Sequence, residues 1–132
     1  MDSILLVHAV DGLSANDLQA FFVGWPKAPS PEERLEIVRA ADEVVVARLG
    51  ELVVGIATAI TDHRFAAYVP LVEVLPDYQG RGIGSQMLRA LLNQLKMCYM
   101  VDLVCDDDVV PFYERLGGQR LNAMAWRHDD RL

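Results

Sequence analysis

Short aliphatic runs alternate along this chain with segments of helical spacing, and that alternation predicts most of its elements. Ile4 to Val7 is an aliphatic run and reads as a first strand. Ser14 is placed to cap a helix reaching about Val23, with Leu18, Phe21 and Phe22 turned inward. Gly24-Trp25-Pro26-Lys27-Ala28-Pro29 then breaks the chain into a loop. Ser30, with Pro31 just inside, starts a second helix to about Ala40 that carries Leu35, Ile37 and Val38. Glu43–Leu49 and Glu51–Ile60 are rich in β-branched residues and hinge at Gly50, which predicts an antiparallel hairpin. Thr61-Asp62-His63-Arg64 forms the next turn, and Phe65–Leu75 predicts a long strand stopped by Pro76.

A glycine-rich stretch over 76–84 leads into the clearest periodicity in the chain. Ile83, Met87, Leu88, Leu91, Leu92 and Leu95 share one helical face, while Arg89, Asn93, Gln94 and Lys96 take the other. Met100–Cys105 predicts a strand. Asp106-Asp107-Asp108 caps a short helix to Leu116, which Gly117-Gly118 ends. Arg120–Arg127 predicts a last strand, and Asp129–Leu132 a frayed tail. One strand–helix–strand unit within mostly antiparallel pairing predicts an α+β fold, with a mixed sheet and about four helices.

Length and charge narrow the picture. At 132 residues the whole chain, 1–132, is expected to form one domain with its own core. A net charge of −7, from 12 basic and 19 acidic side chains, repels phosphate backbones and weighs against nucleic-acid binding. The same field is consistent with a cationic acceptor such as an amine. Cys98 and Cys105 match no zinc or redox spacing, so two free thiols in a reducing compartment are expected. His8, His63 and His128 show no metal-ligand spacing, and no metal is expected. No basic leader precedes Ile4 and no apolar run reaches membrane-spanning length, so a cytoplasmic protein away from membranes is expected.

The chemistry concentrates in Val72-Glu73-Val74-Leu75-Pro76-Asp77-Tyr78-Gln79-Gly80-Arg81-Gly82-Ile83-Gly84-Ser85. A strand runs into three glycines that open a helix. Glycines allow close backbone approach, and a helix N-terminus offers free N–H donors and a positive dipole end, a combination suited to pyrophosphate. A Walker A loop needs Gly-Lys-Ser/Thr, whereas Gly84 precedes Ser85-Gln86. A dinucleotide G-x-G-x-x-G fails at Ser85 or at Met87, depending on where it starts. What remains, Gln79-x-x-Gly82-x-Gly84, resembles the pyrophosphate motif of the GNAT superfamily of N-acetyltransferases. Pro111-Phe112-Tyr113-Glu114-Arg115-Leu116-Gly117 is similar to a second motif of that family. The resemblance covers residues 43–118, and by element order alone it extends over 1–42.

The resemblance implies an acetyl-CoA-dependent N-acetyltransferase in which a primary amine attacks the thioester directly, within a ternary complex. It implies that the backbone of Gln79, Gly80, Arg81, Gly82, Ile83, Gly84 and Ser85 wraps the pyrophosphate. It also implies that Val72–Leu75, with Val72, Val74 and Leu75 as contacts, splays from the next strand so that pantetheine lies between them. A backbone N–H of Val74 or a neighbour would then polarise the thioester carbonyl. Arg81 reads either as a phosphate contact or as an exposed loop residue. Tyr113 matches the tyrosine that protonates the departing thiolate, and otherwise reads as a core aromatic like Phe112. Glu73 is the first choice as base, a carboxylate in an apolar strand, and otherwise points to solvent on the opposite pleat. Asp62, His63 or a water chain are the other choices. Trp25 lies where an aromatic lip would border the acceptor pocket, and otherwise packs down onto its loop.

The sequence also departs from the family pattern. Asp106 stands where an asparagine often contacts pantetheine, and Gly118 replaces a common phenylalanine. The short segment after Gly118 points to a terminal strand that is missing or supplied by a partner, and hence to a homodimer. A non-catalytic acyl-CoA sensor, or a transferase of longer acyl chains, is the alternative function.

Overall fold

The computed structural model describes residues 3–128. Five strands form one sheet in the order β1-β2-β3-β4-β5, with β1 at Ile4–Val7, β2 at Glu43–Leu49, β3 at Leu52–Thr61, β4 at Ala66–Val74 and β5 at Met100–Asp102. The first four pair antiparallel and β4–β5 is parallel. The mixed α+β sheet expected from the element order is thus present. The hairpin turns at Gly50, whose φ of 62° lies in the left-handed region.

Three α-helices occur, α1 at Pro31–Ala40, α2 at Ile83–Gln94 and α3 at Val110–Arg115. The fourth expected helix, 14–23, is reduced to one 3-10 turn at Asn16–Leu18. Ser14 and Asp17 do exchange capping hydrogen bonds there. Beyond it Phe22 turns to a φ of 65°, which no α-helix continues through. The inward residues are as expected, since Leu18, Phe21 and Phe22 are all buried.

The sheet carries a core on each face. On one side Met87 and Leu91 of α2, with Leu95 just past its end, pack against Val45, Val54 and Val69. On the other Phe21, Phe22 and Val38 pack against Val46, Ile56 and Leu71. At Gly55 the side chain of Met87 from α2 lies tight on the sheet, since a Cβ there would lie 2.7 Å from Met87 Sδ.

Two strand expectations are corrected. Met100–Cys105 pairs only as far as Asp102, so Leu103–Cys105 leaves the sheet. Arg120–Arg127 forms no strand and runs exposed and without backbone pairing. The expected fray at Asp129–Leu132 lies outside the described residues.

Candidate functional site

The site begins where β4 and β5 part. Ala66, Ala67 and Tyr68 face Met100, Val101 and Asp102, and then the pairing stops. Opposite Ala59, β4 inserts both Val69 and Pro70 between the partners Leu71 and Tyr68, which is a β-bulge. Pro70 has no N–H to offer a neighbour. From there to Val74, β4 runs beside a gap instead of a strand. A proline inside a strand-like run was the available signal for this bulge, and pattern reading passed over it.

The alternation of antiparallel hydrogen bonds decides which β4 groups face the gap. Leu75 N–H donates to Val54 O at 2.9 Å, which makes that pair and, alternately, Ile56/Glu73 and Thr58/Leu71 the bonded ones. The N–H and C=O of Val72 and Val74 therefore point away from β3, into the gap. Gln79 Nε2 donates to Val74 O at 2.9 Å, so that carbonyl is taken and the Val74 N–H is left for a ligand.

The gap widens into a cleft of about 410 Å³, lined among others by Val72, Glu73, Gln79, Cys105, Asp106 and Tyr113. At its near end Gly80 and Gly82 hold φ of 76° and 82°, and α2 starts at Ile83. Among the described residues, the backbone N–H groups of 80–85 have no acceptor. A Cβ at Gly80 or Gly82 would meet no atom within 4 Å, so both glycines are there for backbone shape. Gly84 is different, for a Cβ there would sit in van der Waals contact with the Phe112 ring at 3.4 Å. Arg81 stacks over Tyr78 at 5.1 Å and donates to Asp77 O at 3.2 Å. The loop thus offers a cradle of unpaired donors on a helix N-terminus, which fits a pyrophosphate.

Tyr113, on α3, borders the cleft at its far side. Burial, and secondly the neighbouring Cys105, pushes its phenol above the ordinary value of 10.0. It therefore stays protonated well into alkaline solution. Cys105, expected inside a strand, instead lines the cleft from irregular backbone. Asp106 sits at the cleft edge before a 3-10 turn, Asp107–Val109, and its side chain makes no capping bond.

Glu73 is half-buried in the cleft lining, away from the α2 core. Its Oε1 accepts the Phe22 N–H at 3.0 Å and its Oε2 the Val23 N–H at 3.3 Å. That contact draws the loop after Phe22 onto β4, with Trp25 tilted against Phe22 at 4.6 Å and lining the cleft. Nothing local in the sequence announces it. Asp62 and His63 lie at the other end of β4, about 25 Å of strand away at roughly 3.3 Å per residue. Asp62 Oδ1 accepts backbone N–H groups from Phe65, Arg64 and Ala66, in that order of effect, and these hold its carboxyl below the usual value. His63 Nε2 pairs with Glu43 Oε2 at 2.8 Å.

Comparison with known proteins bears on this arrangement. The model of the acetyltransferase (GNAT) family matches residues 11–118. The uncharacterized N-acetyltransferase ycf52 of Pyropia yezoensis is 30% identical over 102 residues, covering 72% of this chain and 58% of its own length. The chain therefore spans less than two thirds of that curated relative. A crystal structure of a candidate acetyltransferase from Deinococcus radiodurans R1 superposes with a TM-score of 0.92 at 44% identity, over 96% of this chain and 90% of the other. The aminoglycoside acetyltransferase AAC(6')-Iy, in complex with the bisubstrate analog CoA-S-monomethyl-acetylneamine, shares the fold with a TM-score of 0.72 at 16% identity, over 96% and 97% of the chains.

Proposed function

This chain belongs to the acetyltransferase (GNAT) family, and from that membership we propose that it transfers an acetyl group from acetyl-CoA to a primary amine. One observation carries the reading. Unpaired N–H groups of 80–85 lead straight into the β4–β5 gap, which ends on Tyr113. An anion held at the first point and an extended arm laid in the gap bring a thioester beside the phenol.

The chemistry follows from what each group can give. Acetyl-CoA enters as the acyl donor, with its pyrophosphate on Gln79–Ser85 and its arm along Val72, Val74 and Leu75, past Asp106. The Val74 N–H, turned into the gap, donates to the carbonyl oxygen as charge builds there. A neutral amine forms the new C–N bond, the C–S bond breaks, and Tyr113 supplies the proton the thiolate takes. Glu73 receives the proton the amine sheds, directly or through a water, since each carboxylate oxygen keeps acceptor capacity beyond its one amide bond. The described cleft lining includes two carboxylates, Glu73 and Asp106, and neither lysine nor arginine. That favours a cationic amine with no acidic group beside its nitrogen. A cytoplasmic homodimer is the setting proposed, in keeping with two unpaired cysteines.

Titration calorimetry with acetyl-CoA, followed by a thiol-release assay over a panel of amines, tests this. Binding with release of coenzyme A on some amine is the expected result. Absence of binding would remove the loop from the argument and the transferase with it. Binding without release on every amine would instead favour a non-catalytic sensor.

A further inference from the structure

Glu73 and Trp25 both line the cleft, and both depend on where the loop before α1 runs. The Glu73 oxygens take the N–H groups of Phe22 and Val23 at 3.0 and 3.3 Å, so the carboxylate points where those amides stand. Trp25 leans on the Phe22 ring at 4.6 Å, and its N–H closes a turn onto Phe22 O at 3.3 Å. Within that turn Phe22 holds a φ of 65° and Gly24 one of 80°. A bulky residue stays in the left-handed region only where its surroundings over-determine it. The turn therefore needs a support from outside itself.

Arg34, half-buried near the start of α1, supplies that support. Its Nε donates to Pro29 O at 2.8 Å, while Nη1 donates to Leu18 O at 3.0 Å and to Gln19 O at 2.8 Å. These carbonyls are the two feet of the loop, so one guanidinium ties both and closes the chain between them into a compact loop. Its Cζ also lies over the Phe22 ring at 5.4 Å. Among the described residues it pairs with no carboxylate. The N-terminal end of a helix is moreover the wrong end for a cation. Arg34 thus serves the loop and not its own helix. Lysine would carry the charge without the rigid fork that reaches both feet.

We propose that Arg34 is a positioning residue for the amine acceptor, an inference that rests on the transferase reading for what the cleft receives. The fork fixes the loop over 19–29, and the loop fixes Phe22 and Val23. Their N–H groups then aim the Glu73 carboxylate, while Trp25 is held as the cleft wall. The acetyl-CoA side stands apart. Among the described residues, no hydrogen bond joins 19–29 to the loop at 79–85. Losing the fork should therefore be felt by the amine and not by the acyl donor.

The test compares the parent chain with Arg34→Met and Arg34→Lys. Both variants should lower kcat/KM for the amine by about 10- to 100-fold, the scale of a small misplacement at a reacting centre. Acetyl-CoA affinity by calorimetry should be unchanged in both. Ser30→Ala weakens the same helix start without touching the ties of the loop, and should keep the parent kcat/KM. In a Trp126→Phe background Trp25 is the sole tryptophan. Its fluorescence anisotropy should fall in both Arg34 variants, with neither acetyl-CoA nor amine present. Should Arg34→Met fail to fold, Arg34→Lys carries the test. An Arg34→Lys chain with parent kcat/KM and parent anisotropy overturns the proposal. So does an equal loss of acetyl-CoA affinity, or a Ser30→Ala chain that loses as much activity. A parent chain that acetylates no amine removes the transferase reading, and the Trp25 anisotropy alone then decides whether Arg34 holds the loop.

Discussion

Tyr113 and Glu73 show how little separates a structural side chain from a chemical one. Burial and the adjacent Cys105 keep the Tyr113 phenol protonated above its ordinary range, so the group is a donor at every physiological pH. Tyr113→Phe should lower kcat by about 10²- to 10⁴-fold, the usual worth of a positioned acid, while leaving acetyl-CoA affinity within a factor of a few. The loss of activity on the alkaline side should fall above the normal phenol pKa of about 10, because a raised pKa moves ionisation to higher pH. A limb below that value would assign it to another group. Glu73→Gln separates two roles. Its amide can accept one of the Phe22 and Val23 N–H groups but turns an NH₂ toward the other, so a purely positional Glu73 would show as a raised KM for the amine at unchanged pH dependence. A proton-accepting Glu73 requires kcat itself to fall. The glycine-rich loop and Tyr113 stood out in the sequence as candidates because each is a local pattern. The partners of Glu73 lie fifty residues earlier in the chain, and no local spacing records such a contact.

At the scale of elements, legibility tracked how much of each element's pattern is its own. α2 and the β2–β3 hairpin carry complete signals, and both lie where periodicity put them. The helix expected over 14–23 is cut short because Phe22 must turn its N–H to Glu73, a tertiary demand that outweighs local propensity. The strand expected to Cys105 stops at Asp102 because β4, bulged at Val69–Pro70, leaves it nothing to pair with. Gly55→Ala should be more damaging than a strand glycine normally warrants. The new methyl group would press on fully buried Met87 and on Ala47 Cβ at 3.3 Å, and overpacking of this kind costs about 1–3 kcal/mol. Chemical denaturation would read the loss, and adding Met87→Ala should return part of it. Ser30→Ala removes the Oγ that accepts the Glu33 N–H at the start of α1 and should cost about 0.5–2 kcal/mol. A result near zero would mean that Pro31 and the packing of Val38 alone define that helix start.

The whole molecule carries a net charge of −7, and a field of that sign should concentrate cationic acceptors near the cleft. Raising ionic strength should therefore lower kcat/KM for a polycationic amine far more than for a monoamine of similar shape, because salt screens the field over about 10 Å at 0.1 M. Equal loss for both would assign binding to the cleft walls alone. The break between β4 and β5 has a further consequence. A sheet whose fourth strand runs on past its fifth is short of one rung, and a ligand lying there completes it from outside the chain. Folding and occupancy then become one linked equilibrium. At a hundred times its dissociation constant, a ligand that binds only the native state adds about 2.7 kcal/mol to its stability. The cell's supply of acyl donor would in that way set the lifetime of the protein against heat and proteases as well as the rate at which it turns over.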